Sequence, residues 1–310
     1  MTLDDFRSSP RIIDVYPTHY TTGPRLVVFG AVHGNEPSGV IALRQVFEQL
    51  RSEQAPLQGQ LIGIMGNIPA FDRQVRYCDA DLNRLFRQEL IQEAEAQETS
   101  STVEMRELRE ICTLAKVCEA DTDGKPFFVD CHTTSAASVP YVSLNEGFAD
   151  SFRFAQDMPA VKVIGAEREI KGCLSEWLNR RGWHGFTLEA GQHQADISVR
   201  NQAAIIWLGL LNSGCLSDPT GEVIQRANET LLEQGDLQAS VFQVTASYRI
   251  REGETFRMEP GYANFQAIRQ GELLATSNGE PVYAFTDAFI LMPLYQPQGN
   301  FGYFIAQKVR

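Results

Sequence analysis

The stretch LVVFGAVHGNEP, residues 26–37, joins an apolar run to a short polar segment that contains His33 and Glu36. A run of apolar and β-branched residues that ends at glycine indicates a buried strand. The proline and the apolar residues at helical spacing over 40–50 indicate that a helix follows. His33 and Glu36 are therefore expected on the turn at the carboxyl end of a strand, where open α/β sheets bind ligands and where glycine lets the backbone approach them.

Histidine and glutamate three residues apart are both side chains that bind zinc. The alternative is that Glu36 only complements the helix dipole and that His33 is an ordinary turn residue. His132 follows a third apolar segment, 126–130, and is expected just past the end of that strand. Because the carboxyl ends of parallel strands meet at one sheet edge, the three residues together favour a metal site. Asp130 is expected to orient a ligand or to end the strand.

Glu189 lies in the segment 185–191, which repeats the pattern of an apolar strand with one polar residue near its end. A carboxylate beside a metal-activated water can accept a proton and later return it to a leaving amine. The alternative is a surface glutamate at a strand end. We interpret the nearby His193 as a loop residue at the rim of the site rather than as a third histidine ligand.

The loop 76–86 gathers charged and amide side chains between two predicted elements. Guanidinium groups bind carboxylates with paired hydrogen bonds, and asparagine adds a further donor. The loop therefore predicts a carboxylate-binding site, with the alternative of a solvated turn in which Asp81 caps the next helix. Its polar members are Arg76, Asp79, Asp81, Asn83 and Arg84.

Composition limits the classes of protein to which the chain can belong. With 310 residues, 43% of them hydrophobic, and a formal net charge of −12, it has the character of an acidic globular protein. An acidic surface disfavours nucleic-acid binding, and no window predicts a membrane helix or a secretory signal. We expect a cytoplasmic protein whose six scattered cysteines are reduced and mostly buried. The sequence is compatible with either a monomer or a homo-oligomer.

The pattern predicts an α/β fold with a mixed sheet flanked by helices. Residues 1–220 are expected to form the catalytic domain, and 221–310 a smaller β-rich domain that caps the pocket. Tyr295 in the second part is a candidate pocket contact, with an ordinary sheet aromatic as the alternative. A single amphipathic helix is predicted over 91–121, with its glutamates on the solvated face.

Four motifs occur in a fixed order: GAVHGNE from residue 30, RYCDADLNRLF from residue 76, DCHTT from residue 130 and TLEAG from residue 187. Together they resemble the succinylglutamate desuccinylase and aspartoacylase family, a branch of the zinc carboxypeptidase-like hydrolases. The resemblance covers residues 26–200. It implies a zinc-dependent amidohydrolase that removes the acyl group from a small anionic N-acyl amino acid.

The resemblance also implies roles for individual residues. His33, Glu36 and His132 match the zinc ligands, and Glu189 matches the general base. Arg76 matches the residue that polarises the scissile carbonyl. Asn83 and Arg84 match the pair that holds a substrate carboxylate. The family has a further substrate-binding arginine about ten positions before the glutamate, where this chain has Asn179 next to Arg180 and Arg181; we assign the role to Arg180.

Two other functions share part of this pattern. A zinc carboxypeptidase would use the same metal and glutamate to cleave small peptides. An inactive metal-binding regulatory protein would keep the ligands, but binding zinc does not require a further carboxylate such as Glu189.

Overall fold

The computed structural model describes residues 3–19, 22–96, 102–120, 122 and 124–310. Strands and helices alternate through the first two thirds of the chain, and strands dominate the last third. The strands are β1 (Ile12–Tyr16), β2 (Arg25–Gly30), β3 (Gln60–Met65), β4 (Phe127–Thr134), β5 (Tyr141–Leu144), β6 (Val161–Ile164), β7 (His184–Gln192), β8 (Val241–Arg249), β9 (Phe256–Met258), β10 (Gln266–Ile268), β11 (Leu273–Ser277), β12 (Glu280–Tyr283), β13 (Ala288–Leu291) and β14 (Phe301–Lys308). The helices are α1 (Leu3–Phe6), α2 (Ser38–Ser52), α3 (Ile68–Arg73), α4 (Gln88–Ala96), α5 (Val103–Glu119), α6 (Ala149–Ala155), α7 (Leu174–Arg180), α8 (Asp196–Asn212) and α9 (Glu222–Leu232).

Eleven strands form one mixed sheet in the order β1-β3-β2-β4-β7-β5-β6-β8-β14-β13-β10. Strands β3, β2, β4 and β7 are parallel neighbours, so their carboxyl ends lie on one edge. In this register His132 is directly opposite Glu189. The predicted mixed α/β sheet is thus confirmed, and it brings the candidate site residues to the same edge.

Helices cover both faces of the sheet, so the side chains of β2 are buried on both sides. Leu26 and Val28 pack in one core with residues of α2, α6, α8 and α9. Val27 and Phe29 pack in the opposite core with residues of α4, α5 and α7. Alternate side chains of a strand point to opposite faces, which is why an uninterrupted apolar run indicates a strand in the middle of such a sandwich.

The C-terminal part is β-rich, as predicted, and four of its strands extend the main sheet. Strand β8 pairs in parallel with β6, and β14, β13 and β10 follow in antiparallel order. The other three strands form a separate small sheet. The boundary at residue 220 stays a prediction, although α9, which follows it, packs Ile224 and Leu231 into the core of the preceding part.

Two expectations need correction. The helix predicted over 91–121 consists of α4 and α5, and residues 97–101 and 121 of that range lie outside the described residues. His132 lies inside β4, which continues to Thr134, and does not follow the end of the strand. The polar residues of 130–134 did not end this strand because its carboxyl end still pairs with β7.

Four of the six cysteines are buried, as predicted, and the described structure has no disulfide between them. Over the described ranges, no helix combines the length and the apolar character that crossing a lipid bilayer requires.

Candidate active site

Three buried side chains meet at the carboxyl edge of the parallel strands. The Nδ1 atom of His33 lies 3.0 Å from Glu36 Oε1 and 3.1 Å from His132 Nδ1. The Nδ1 atom of His132 lies 3.1 Å from Glu36 Oε2. The turn that carries His33 and Glu36 passes close to α3, where a Cβ at Gly34 would lie 2.1 Å from the carbonyl carbon of Ala70. A residue with a Cβ atom would therefore clash with the backbone of Ala70, and only glycine fits at this position.

An aspartate fixes the outer nitrogen of each imidazole. His33 Nε2 lies 2.9 Å from Asp81 Oδ1, and His132 Nε2 lies 3.0 Å from Asp130 Oδ1. An ionised carboxylate can only accept hydrogen bonds, so the Nε2 atom of His33 carries the proton. The Nε2 atom of His132 forms an ion-pair contact with Asp130 Oδ1 and also lies 3.4 Å from the amide nitrogen of Asn83. In a neutral ring with its proton on Nε2, Nδ1 is an acceptor that faces the other ring and Glu36.

The centre of the site therefore consists of acceptors that face one another and need a positive charge between them. Although burial opposes a charged imidazole, Asp130 and Glu36 raise the pKa of His132 well above its usual value. Two imidazole nitrogens and a carboxylate are also the ligand types of a catalytic zinc site. His33, Glu36 and His132 are thus a group that could hold a metal ion.

Glu189 lines the same cavity, on the strand next to His132. It is 8% exposed, and no group of the described residues donates a hydrogen bond to its Oε2 atom. Burial raises the pKa of Glu189 well above its usual value, although the charges of His132 and Arg76 act in the opposite direction. A buried carboxyl with an unpaired oxygen is suited to accept a proton and to give it back.

Arg76 reaches the site from the loop before the 3-10 helix Leu82–Arg84. Its Nη2 atom donates to Asp81 Oδ2 at 3.1 Å, and its Nη1 atom donates to Glu36 Oε1 at 3.4 Å. Asp81 also accepts the backbone N–H of Asn83 at 3.0 Å, as a cap of the 3-10 helix. Burial opposes the charge of Asp81, but His33, Arg76 and Arg84 hold its pKa well below the usual range. Asp81 thus performs the capping role weighed from the sequence and also orients His33, which the sequence did not indicate.

Asn83 and Arg84 both line the cavity. The side-chain oxygen of Asn83 accepts the N–H of Leu174 at 2.8 Å, which fixes the loop against the start of α7. Arg84 donates from Nη1 to the carbonyl of Asn83 at 2.6 Å, while its buried Nε–H has no partner among the described residues. An unpaired buried N–H is costly, and a bound carboxylate would satisfy it.

Glu104 is a supporting residue that the sequence analysis missed. It was expected on the solvated face of its helix, yet it is fully buried near the start of α5. Its carboxylate accepts three successive backbone N–H groups, those of Cys78 at 2.7 Å, Asp79 at 3.0 Å and Ala80 at 3.2 Å. It therefore holds the loop that carries Arg76 and Asp81. The signal available in the sequence was Thr102, two residues earlier, which caps the helix and places Glu104 in its first turn.

Arg180 does not line the cavity, contrary to the sequence-based assignment. Its side chain is 69% exposed and pairs with Glu176 on the surface of α7. Arg181 pairs with Glu119 at 2.5 Å, also outside the cavity. The position ten residues before Glu189 is Asn179, which is buried and bonded to Asn145 at 2.8 Å. The apolar face of α7 packs on the core, so its last-turn arginine points to solvent.

Tyr295 is also outside the cavity, although residues on either side of it, Leu294 and Gln296, are part of the wall. Its hydroxyl donates to the carbonyl of Glu259 at 2.7 Å within the C-terminal part. His193 contacts Thr133 Oγ1 at 2.8 Å and Gln296 Oε1 at 3.2 Å, beside the metal-binding group. The C-terminal region thus contributes to the cavity through residues other than Tyr295.

The fold and the site together define a mixed α/β protein with a buried His-Glu-His group at the edge of its parallel strands. The family model for the succinylglutamate desuccinylase/aspartoacylase catalytic domain matches residues 22–205, which is more than half of the chain. The chain belongs to this family.

Two curated relatives illustrate the range of the family. The chain is 25% identical over 276 residues to an N-acyl-aromatic-L-amino acid amidohydrolase (carboxylate-forming) of Xenopus tropicalis, an alignment that covers 83% of this chain and 84% of the relative. It is 30% identical over 119 residues to the succinylglutamate desuccinylase of Burkholderia lata. That shorter match covers 38% of this chain and only 33% of the Burkholderia protein.

Solved structures support the fold. A succinylglutamate desuccinylase/aspartoacylase of Rhodobacter sphaeroides superposes with a TM-score of 0.68 at 20% identity, over 94% of this chain and 86% of the other. Murine aminoacylase 3 superposes with a TM-score of 0.63 at 18% identity, over 94% of this chain and 97% of the other. At these identities the likeness shows a shared fold.

The role of Glu104 gives a prediction about stability. In Glu104→Gln, an NH2 group would replace one acceptor oxygen and face backbone N–H donors. We expect the free energy of unfolding to fall by about 1–3 kcal/mol, the cost of leaving buried donors unpaired. Chemical denaturation of the purified protein measures this change.

The matched control is Glu48→Gln, because Glu48 is an exposed glutamate on α2. The control should unfold within about 0.5 kcal/mol of the wild type, as most surface substitutions do. Equal stability of the two variants would show that Glu104 does not hold the loop.

Proposed function

We propose that this protein is a zinc-dependent amidohydrolase that cleaves an N-acyl amino acid into a carboxylic acid and a free amino acid. The observation that carries the proposal is the combination, in one cavity, of the His33-Glu36-His132 group and the unpaired carboxylate oxygen of Glu189. Membership of the family and the hydrolase names of its relatives support it.

The charges around the site fit a divalent cation. Around the two imidazoles, Glu36, Asp81 and Asp130 are three buried carboxylates, and Arg76 and Arg84 supply two positive charges in contact with Glu36 or Asp81. With neutral imidazoles, one negative charge is left over even if Glu189 is protonated, and buried charge without compensation is costly. His33, Glu36 and His132 would hold the metal, while Asp81 and Asp130 orient the rings. When bound, zinc would lower the pKa of a water molecule toward about 7 and so supply a nucleophile at neutral pH.

The residues of the chain would then carry the proton and the developing charge. Glu189 would accept a proton from the attacking water, whose oxygen forms a bond to the amide carbon. The Arg76 guanidinium would stabilise the negative charge that develops on the carbonyl oxygen, as preorganised positive groups do in other acyl-transfer reactions. As the C–N bond breaks, Glu189 would return the proton to the leaving amine. The net reaction consumes one water molecule and produces one carboxylic acid and one amine.

The carboxylate of the amino-acid half is the group that Arg84 would bind. Within the described part of the chain, no acceptor binds the buried Nε–H of Arg84, so an anionic ligand would remove the cost of leaving this donor unpaired. Asn83 would contribute mainly by fixing the loop, because its oxygen already accepts the N–H of Leu174.

The first prediction from this proposal concerns the metal. Wild-type protein should bind about one zinc ion per chain, and His132→Ala should lose it because a catalytic zinc needs its three protein ligands. Elemental analysis after extensive dialysis measures the zinc content. His184→Ala is the control, since His184 lies at the far end of β7 and should not affect zinc. Full zinc occupancy in His132→Ala would refute the ligand set.

The second prediction concerns the proton acceptor. Glu189→Gln should keep its zinc and its fold but lose roughly 10²- to 10⁴-fold in kcat, since an amide cannot accept the proton. Steady-state kinetics on an N-acyl amino acid, together with zinc analysis, separates this effect from loss of the metal. Turnover within about tenfold of the wild type would remove Glu189 from the role.

The third prediction distinguishes the two arginines. Arg84→Ala should mainly raise KM for substrates that carry a free α-carboxylate, because it removes binding that is equal in the ground and transition states. Arg76→Ala should mainly lower kcat, because its interaction strengthens as charge develops. Each variant is assayed on an acyl amino acid and on its carboxamide analogue. If Arg84→Ala impairs both substrates equally, Arg84 has a structural role instead.

A further inference from the structure

The cavity extends from the metal-binding group along the segment that follows β6. Ala166, Glu167 and Ile170 line this part, and Cys173 and Ser175 continue the wall toward the loop of Arg84. The carbonyl of Gly172 accepts the N–H of Phe86 at 3.0 Å, so the wall is attached to that loop. A substrate whose α-carboxylate meets Arg84 would therefore have its amino-acid side chain along this wall.

Glu167 brings an unpaired acceptor into the wall. Its Oε1 atom accepts the N–H of Glu146 at 3.3 Å. Its Oε2 atom is buried and receives no hydrogen bond from the described residues. The cations nearest in sequence are engaged elsewhere: Arg168 pairs with Glu146 at 2.5 Å, and Lys171 donates to the backbone carbonyl of Glu167 at 2.6 Å.

The balance of charge along this wall disfavours a second carboxylate on the substrate. Among the described residues that line the cavity, the arginines are Arg76 and Arg84, and both lie at the end near the metal-binding group. Asn179 occupies the position where the family resemblance implies a further arginine, and Arg180 is exposed on the surface. A carboxylate next to Glu167 would meet a like charge, and among the described lining residues no arginine or lysine lies on this wall to offset it.

The cavity also has apolar side chains. Ile170, Met292, Phe301 and Phe304 line the same cavity, which suits the methylene groups of a long side chain. A carboxylate at the end of such an apolar surface would accept hydrogen bonds from an ammonium group, the stronger, charge-assisted kind.

We infer that Glu167 receives a cationic group at the end of the substrate's side chain, so the substrate class is an Nα-acylated basic amino acid. The inference rests on the proposed deacylase function and specifies its substrate. It assigns Glu167 to specificity and leaves the bond cleavage to the residues described above.

Three substrates whose side chains end in an ammonium, a methyl and a carboxylate group test the inference: Nα-acetyl-L-lysine, Nα-acetyl-L-norleucine and Nα-acetyl-L-glutamate, with an Nα-succinyl series alongside. The zinc-loaded protein is assayed by chromatographic quantification of the free amino acid that is released. This readout measures the product itself and is not affected by the side-chain amine of the lysine compound. We expect kcat/KM for the lysine compound to exceed that for norleucine by roughly tenfold or more, the range of a charge-assisted hydrogen bond in a partly buried site.

Two variants separate the role of Glu167 from a general effect of charge. Glu167→Gln should lower kcat/KM for the lysine compound to within about threefold of its kcat/KM for the norleucine compound. Glu169→Gln is the matched control, because Glu169 lies on the same segment and its carboxylate accepts the hydroxyl of Ser247 at 2.6 Å, outside the cavity. It should leave all three values unchanged. Preference for norleucine or glutamate in the wild type, or an unchanged ratio in Glu167→Gln, overturns the inference.

Binding measurements distinguish this failure from failure of the proposed function. If neither acyl series is cleaved, the deacylase proposal fails. Calorimetry with Nα-acetyl-lysine and Nα-acetyl-norleucine then tests whether Glu167 binds a cationic side chain even without cleavage. Tighter binding of the lysine compound that is lost in Glu167→Gln supports the assigned ligand class, and equal binding of the two compounds overturns it.

Discussion

Two imidazole rings that turn their acceptor nitrogens toward a buried carboxylate impose the main constraint on this structure. Each ring needs a carboxylate beside its outer nitrogen, and Asp81 and Asp130 lie there, at 2.9 Å from His33 Nε2 and at 3.0 Å from His132 Nε2. Asp130 lies two residues before His132 on β4, so the strand itself brings ligand and support to one face. Asp81 comes from a loop, and the position of that loop must be fixed by other means.

Glu104, on α5, holds this loop in position. By accepting the N–H groups of 78–80, it orients the loop so that Asp81 reaches His33 and Arg76 reaches Glu36. Asp79, which the sequence places beside these groups, turns away and accepts the N–H of Val103 at the start of α5. The loop therefore has two carboxylates with opposite tasks, one directed toward the site and one toward the helix that supports it.

Much of the architecture could be predicted from the sequence because its signals are local. The apolar runs at β2, β3, β4 and β7 are bounded by glycine or polar residues, and parallel pairing then brings His33, Glu36, His132 and Glu189 to one edge. The contacts that fix the loop of Arg76 could not be predicted, since Glu104 looks like any exposed glutamate of an amphipathic helix. Whether a glutamate of the first turn is solvated or buried depends on a loop that arrives from elsewhere in the chain.

The C-terminal part shows the same limit. Its strands were predictable from alternating residues and turn signals, but their continuation of the main sheet through the β6–β8 pair was not. Short β-rich segments can form a separate sheet or extend an existing one, and the choice depends on which edge is open. Here β6 offers an open edge, so the strands that follow extend the wall of the cavity, and Phe301 and Phe304 reach it from β14.

The departure at Asn179 has a physical consequence for the whole cavity. Its amide is fully used inside the protein: the oxygen accepts from Asn145, and the nitrogen donates to Ser151 at 2.9 Å and to the carbonyl of Trp183 at 3.0 Å. A position engaged in this way joins α7 to the sheet and cannot also bind substrate. On the substrate class inferred above, the substrate's side chain is recognised by the segment after β6, which presents an apolar surface and a carboxylate. At the position where the resemblance implies an arginine, α7 therefore contributes no positive charge to the described lining of the cavity.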